Sequence, residues 1–381
     1  MTPSSIATDD DFSGWLMYHS VGIFPGQQAA VTDALARFTA DWYAPDDRRW
    51  AAGLGARDAL LSSWATLIGA DAAHVFGAQN VTDVFARFLD GLDDAALAGR
   101  TVLVAADCFP SLHFLLNGVA ARRGFTLKTV PVREGEAYVR DEDFIAAWDA
   151  EVALALVTWV SSLTSKRVDL AALIAQARST GSLVALDITQ GAGILPFDLH
   201  DTPVDFVCGS TLKWLCGAPG TGLGYVAPHL LDNGMQPGVR GWFSQPDPFN
   251  WNLDTFSYAA GARRFDTGTP SLLPFVASQP GIDWLLAQRP GELRTHNLAL
   301  CHQLMEIADG LGYRLLSPRD DGLRGGSVMV EIPADHDPQL IVTMLASRRI
   351  HVDSRGRTLR LSPGATTTAA GIERVAAHLP R

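Results

Sequence analysis

Apolar residues recur at helical spacing through 26–45 and 56–69, with Ala30, Val31, Leu35, Phe38 and Trp42 along one side of the first stretch. From about residue 74 the texture changes. Short β-forming runs at 101–105, 127–132, 153–160, 183–188, 206–208 and 223–226 alternate with amphipathic stretches such as 112–123 and 171–179. This alternation predicts an α/β fold with a mostly parallel central sheet covered by helices on both faces. Ligands of such sheets sit beyond the carboxyl ends of the strands, so polar residues just after the runs are the first candidates for chemistry. Past Pro290 a helical stretch at 293–311, strands near 327–332 and 358–362 and a closing helix near 368–379 predict a small α+β domain. The organisation expected is a segment 1–45 joining the small domain, a large domain over 46–285 and the small domain over 286–381.

The 381 residues suit a large domain with a smaller companion. A formal net charge of −11 argues against a broad nucleic-acid surface, which needs clustered Lys and Arg. No apolar stretch reaches the roughly 18 residues of a membrane span, and the opening MTPSSIATDDDF has neither the basic start nor the apolar run of a secretory signal. Cys108, Cys208, Cys216 and Cys301 form no CxxC pair and no metal-ligand spacing. They read as small buried packers in a reduced, cytoplasmic protein without a metal.

Two segments carry the chemistry. The run Leu183-Val184-Ala185-Leu186-Asp187 ends a buried strand on an acid, costly to bury unless it meets a cation or a donor. Alone, it also fits a cap or turn aspartate. Lys213 follows the strand end Cys208-Gly209-Ser210 and lies between Leu212 and Trp214, a poorly solvated frame that lowers a lysine's pKa and favours the neutral amine. Alone, it also fits a surface lysine. Together, one strand–loop–strand step apart, they match the pairing of a Schiff-base lysine with a carboxylate on the pyridinium nitrogen of pyridoxal 5'-phosphate (PLP). Gln190 is placed for the phenolic oxygen of that ring and Ser210 for its phosphate.

The stretch 187–225, DITQGAGILPFDLHDTPVDFVCGSTLKWLCGAPGTGLGY, resembles the core signature of the class V aminotransferase group of fold-type-I PLP enzymes, which includes kynureninases, cysteine desulfurases and isopenicillin-N epimerase-like proteins. Phe109-Pro110-Ser111, Gly241-Trp242 and Phe265-Asp266-Thr267-Gly268-Thr269-Pro270 follow in order and resemble kynureninase segments most. The resemblance implies that Phe109 stacks on the ring, that Trp242 contacts the phosphate and that Thr269 reaches it from a second subunit, hence a homodimer. It places Asn80 and Val81 at a phosphate-binding helix start, although the same residues fit a plain helix cap. It adds Thr158 to the cofactor shell and makes Arg360, between Leu359 and Leu361, the grip on a substrate α-carboxylate. His19 and Ser162 are expected in the substrate pocket, His19 fitting a turn residue equally well.

Several positions depart from the kynureninase pattern: Leu112 for an Asp, Gln190 for a His, Leu212 for a Tyr, and Ser162 for a larger or amide side chain. Residues 340–362 contain no Cys, which sets aside a persulfide-forming desulfurase. The expected activity is a kynureninase-like hydrolase or C–C/C–S lyase acting on a small amino acid. Its alternatives are an aminotransferase or epimerase and, from another class, a non-catalytic binding subunit of the same fold.

Overall fold

Short apolar runs become strands, buried on both faces except at the edge strand over residues 126–130. In the computed structural model, which describes residues 12–380, they are β1 (Val75–Ala78), β2 (Thr101–Ala105), β3 (Thr126–Val130), β4 (Val152–Thr158), β5 (Leu183–Asp187), β6 (Phe206–Ser210) and β7 (Gly222–Val226). The opening stretch read above for a signal lies largely outside the described residues. The seven form one sheet in the order β1-β7-β6-β5-β4-β2-β3. Pairings from β3 through β6 are parallel, while β7 runs antiparallel to both β1 and β6. Large aromatic side chains fill both faces: Trp64, Trp148, Trp159 and Phe275 in one core, Phe85, Phe88, Phe206 and Phe265 in the other. This is the covered mostly parallel sheet that the alternation predicts.

A second, antiparallel sheet is built from β8 (Arg314–Leu315), β9 (Val328–Glu331), β10 (Asp353–Arg355) and β11 (Thr358–Leu361), in the order β10-β11-β9-β8. It shares a core with the helices Glu292–Leu311, Pro338–Ala346 and Ala369–His378. The N-terminal segment joins this sheet through bridges from Trp15 to His351 and from Met17 to Ser362. The join is shorter than the expected 1–45: the helix Gln27–Trp42 packs instead against the helices Arg48–Ile68 and Leu273–Leu286, with Phe24 stacked on Trp284 at 5.4 Å. Among the described residues, no helix is long and apolar enough to cross a membrane.

One buried ion pair ties the large sheet's flank to the 266–270 loop. Arg57 donates from Nη2 to Asp266 Oδ1 at 2.6 Å, and both side chains are almost fully buried. Asp266→Ala leaves an uncompensated buried guanidinium, so a loss of about 3–5 kcal/mol is expected, read from the shift of the chemical denaturation midpoint.

Candidate active site

The strand registers lay the candidate residues along one edge of the sheet. Thr158 at the end of β4 pairs with Asp187 at the end of β5, which pairs with Cys208. Ser210 at the end of β6 pairs with Gly222 of β7, and Gly222 packs against the backbone of Asn80, where a Cβ would lie 2.4 Å from the Asn80 carbonyl carbon. Asn80, Ser210, Asp187 and Thr158 therefore share the carboxyl edge where the fold binds ligands. Asn80 is a true N-cap: its Oδ1 accepts from the Asp83 amide at 2.9 Å, and the helix Val81–Gly91 presents its first-turn amides to this edge. The Ser210 Oγ accepts from the Leu212 amide at 3.3 Å.

Lys213 lies in the turn after β6, and its Nζ sits 5.3 Å from the centre of the Phe109 ring. Burial lowers its pKa from 10.5 to about 8, with Arg360 adding to the fall and Asp187 opposing it. Asp187 is buried at 5% exposure, and burial pushes its carboxyl upward. It accepts from the Thr189 amide at 2.9 Å and forms no ion pair among the described residues. Beside it, Thr158 Oγ1 is buried without a hydrogen-bond partner. A desolvated amine under an aromatic ring, a buried acid and an orphaned hydroxyl beside that acid line this edge. These residues fit PLP, whose carbonyl carbon needs an amine and whose ring nitrogen needs an acid.

The other side of the site comes from the small sheet. β10 and β11 meet at a two-residue turn whose Gly356 has φ +55°, as such hairpins require, and the register sets Asp353 directly opposite Arg360. Arg360 donates from Nε to Asp353 Oδ1 at 2.7 Å and from Nη2 to Oδ2. Its Nη1 lies 3.4 Å from the Ser162 carbonyl oxygen, so Ser162 meets it through the main chain, not the side chain. His19 is fully buried, with Nε2 2.9 Å from Asp353 Oδ1 and Nδ1 2.7 Å from Ser362 Oγ. Burial pushes His19 down to about 4, against the pull of Asp353, so the ring is neutral. Burial pushes Asp353 upward, but hydrogen bonds from His19 and Arg360 hold it far below the usual carboxylate range. The ionised Asp353 only accepts, which puts the His19 proton on Nε2 and makes Ser362 the donor to Nδ1. Both His19 ring nitrogens are thus engaged by the small sheet. Gln190 is also engaged, donating from Nε2 to the His19 carbonyl at 2.9 Å and accepting from Trp214 Nε1 at 3.3 Å. One amide proton is left for the expected contact with the ring oxygen.

Trp242 packs in a ring cluster with Trp50, Phe243 and Phe249, and Thr269 is exposed. Their segments lie together, with the Phe243 amide donating to the Thr267 carbonyl at 3.1 Å. All four cysteines are buried, and burial pushes the Cys108 thiol to about 12 and Cys301 to about 11, away from nucleophilic thiolates. Sequence reasoning missed Asp353, although the hairpin turn at Gly356 predicts its partner. It also missed Gly22, whose amide donates to the Leu212 carbonyl at 3.0 Å and whose Cα approaches Lys213 so closely that a Cβ would lie 1.8 Å from the Lys213 carbonyl oxygen.

A family model described as "Aminotransferase class-V" matches residues 55–370. Kynureninase of Deinococcus radiodurans is 29% identical over 353 residues, covering 88% of this chain and 82% of its own. Isopenicillin N epimerase of Streptomyces clavuligerus is 29% identical over 326 residues, covering 82% and 81%. Among solved structures, a cystine C-S lyase in complex with cysteine persulfide superposes with a TM-score of 0.84 at 20% identity, covering 96% of each chain. Another structure of that lyase, a lysine variant, holds glycine covalently linked to its PLP.

Two outcomes follow from the geometry around Lys213. Only the neutral amine condenses with a carbonyl, so the rate at which the apoprotein captures PLP should rise with pH through a midpoint near 8. Stopped-flow absorbance measures it, and a midpoint at 10.5 would contradict the burial described. Gly22→Ala should displace the Lys213 turn and weaken PLP binding by about tenfold or more, measured by equilibrium titration of the apoprotein.

Proposed function

The chain belongs to the aminotransferase class-V family and is a PLP-dependent enzyme, and from that premise we propose that it cleaves the side chain of a small amino acid, as a kynureninase-like hydrolase or a C–C/C–S lyase. The PLP part of the reading is carried by Lys213 Nζ, which forms no ion pair among the described residues, under the Phe109 ring and beside the buried Asp187, and side-chain cleavage is supported by the kynureninase relative. Bound PLP supplies an electron sink for the carbon attached to the substrate nitrogen. Lys213 is the residue that would hold the cofactor and, at its Nζ, take a proton from the substrate or return it. Asp187 would hold the proton on the ring nitrogen, and the buried environment that raises its pKa makes that shared proton hard to lose. Phe109 covers the ring face, and Arg360 orients the substrate carboxylate through a two-point contact. Thr158, Ser210, Gln190 and the amides at Asn80 and Val81 complete the cofactor shell along the sheet edge.

The active unit in this reading is a cytoplasmic homodimer in which Thr269 serves the other copy's site. Support comes from the exposure of Thr269 and from the exposed Phe249, Trp251 and Leu253 in the loop before it, Trp251 at 80% and Leu253 at 97% exposure. Epimerisation or aminotransfer is the second reading, supported by the epimerase relative at the same 29% identity as the kynureninase.

Incubating the purified holoenzyme with kynurenine and a panel of L-amino acids separates the outcomes. Anthranilate, alanine or pyruvate release supports side-chain cleavage; racemisation or keto-acid exchange without cleavage moves the assignment to the second reading. Lys213→Ala should lose both turnover and the visible absorbance that PLP gains on condensing with a lysine.

A further inference from the structure

We propose that Asp353 is a positioning residue for Arg360, fixing the guanidinium so that its remaining fork is presented to the substrate carboxylate, an inference that rests on reading Arg360 as the carboxylate-binding arginine. A guanidinium offers five N–H donors in a rigid plane. Asp353 takes the Nε–Nη2 side of Arg360 with both of its oxygens. That leaves the Nη1–Nη2 end, where the one hydrogen bond among the described residues is the long 3.4 Å approach to the Ser162 carbonyl. A carboxylate fits that end with two parallel hydrogen bonds.

The lock has a second stage. Asp353 Oδ1 also accepts from His19 Nε2, and His19 is held by Ser362, whose Oγ is hydrogen-bonded to Ser327 Oγ. Asp353 Oδ2 has the exposed Arg355 at 3.5 Å. With both oxygens engaged, Asp353 does not rotate, and the four-bond side chain of Arg360 has one orientation instead of several. The pair is side by side because β10 and β11 are in register there. The same acid gives the buried guanidinium a counter-charge when no substrate carboxylate is present, so Arg360 is not drawn toward Asp187 across the site.

The test uses the holoenzyme and two small amines that differ only at the carboxyl group, L-alanine and L-alaninol, titrated against the visible absorbance of bound PLP. Wild type should prefer L-alanine, and Arg360→Leu should remove that preference. Asp353→Asn should weaken L-alanine binding by about tenfold, the worth of one charge-assisted hydrogen bond, while L-alaninol stays within about twofold and PLP content is unchanged. His19→Phe should shift L-alanine in the same direction. His19→Gln, which keeps a donor for Asp353 and an acceptor for Ser362, should behave as wild type. The His19 pair also serves should Asp353→Asn fail to fold. Equal weakening of both amines would reduce Asp353 to a structural role, and unchanged or tighter L-alanine binding would make it a mere counter-charge; either result overturns the proposal. If wild type shows no preference, or Arg360→Leu keeps it, the assignment of Arg360 itself fails, and the role of Asp353 falls with it.

Discussion

A carboxylate and an amine, both withdrawn from water, face the same hollow without neutralising each other. Burial raises the pKa of Asp187 and lowers that of Lys213, so each is biased toward its uncharged form. Among the described residues the two form no ion pair to offset that desolvation: Asp187 is anchored at the end of β5 by the Thr189 amide, and Lys213 rides a turn after β6 pressed against Gly22. A molecule that brings a basic ring nitrogen and a carbonyl satisfies both groups at once. The surrounding elements exist to keep the two apart at the right edge of the sheet.

The parallel sheet was legible because its strands are continuous apolar runs bounded by polar residues, and a strand buried on both faces has no other way to read. The carboxyl-edge placement of Asp187, Ser210 and Thr158 follows from the same pattern. β1 was not legible: four residues containing Gly77 carry no periodicity, and the strand exists because β7 offers it an edge. β10 was missed for a different reason. Asp353-Ser354-Arg355 is polar throughout, and its strand character comes from the hairpin and from Arg360 rather than from burial of an apolar face. His19 shows the limit of reading a residue by type. Its ring is fully enclosed, which nothing in Tyr18-His19-Ser20 indicates; the enclosure comes from residues 327, 353 and 362, over three hundred positions away.

Cofactor chemistry and reaction outcome are written in different parts of the site. The groups that hold PLP are charged or polar, few, and fixed to strand ends, so they survive in a recognisable order. Selection among cleavage, epimerisation and transfer depends on what touches the substrate side chain. Ser162, expected near the substrate, contributes a carbonyl contact to Arg360 that its side-chain identity does not reveal.

The bridges from Trp15 to His351 and from Met17 to Ser362 have a consequence for biosynthesis. A segment near residue 15 pairs with segments more than three hundred positions later, and it also carries His19 and Gly22 into the site. While the chain emerges from the ribosome, the large sheet has all its strands once residue 226 is made, yet Gly22 and His19 still lack the small sheet that holds them. Closing so long a loop is a slow step. The pocket is therefore completed only once the small sheet has been made, and the cofactor is captured after both sheets are in place rather than by the large sheet alone.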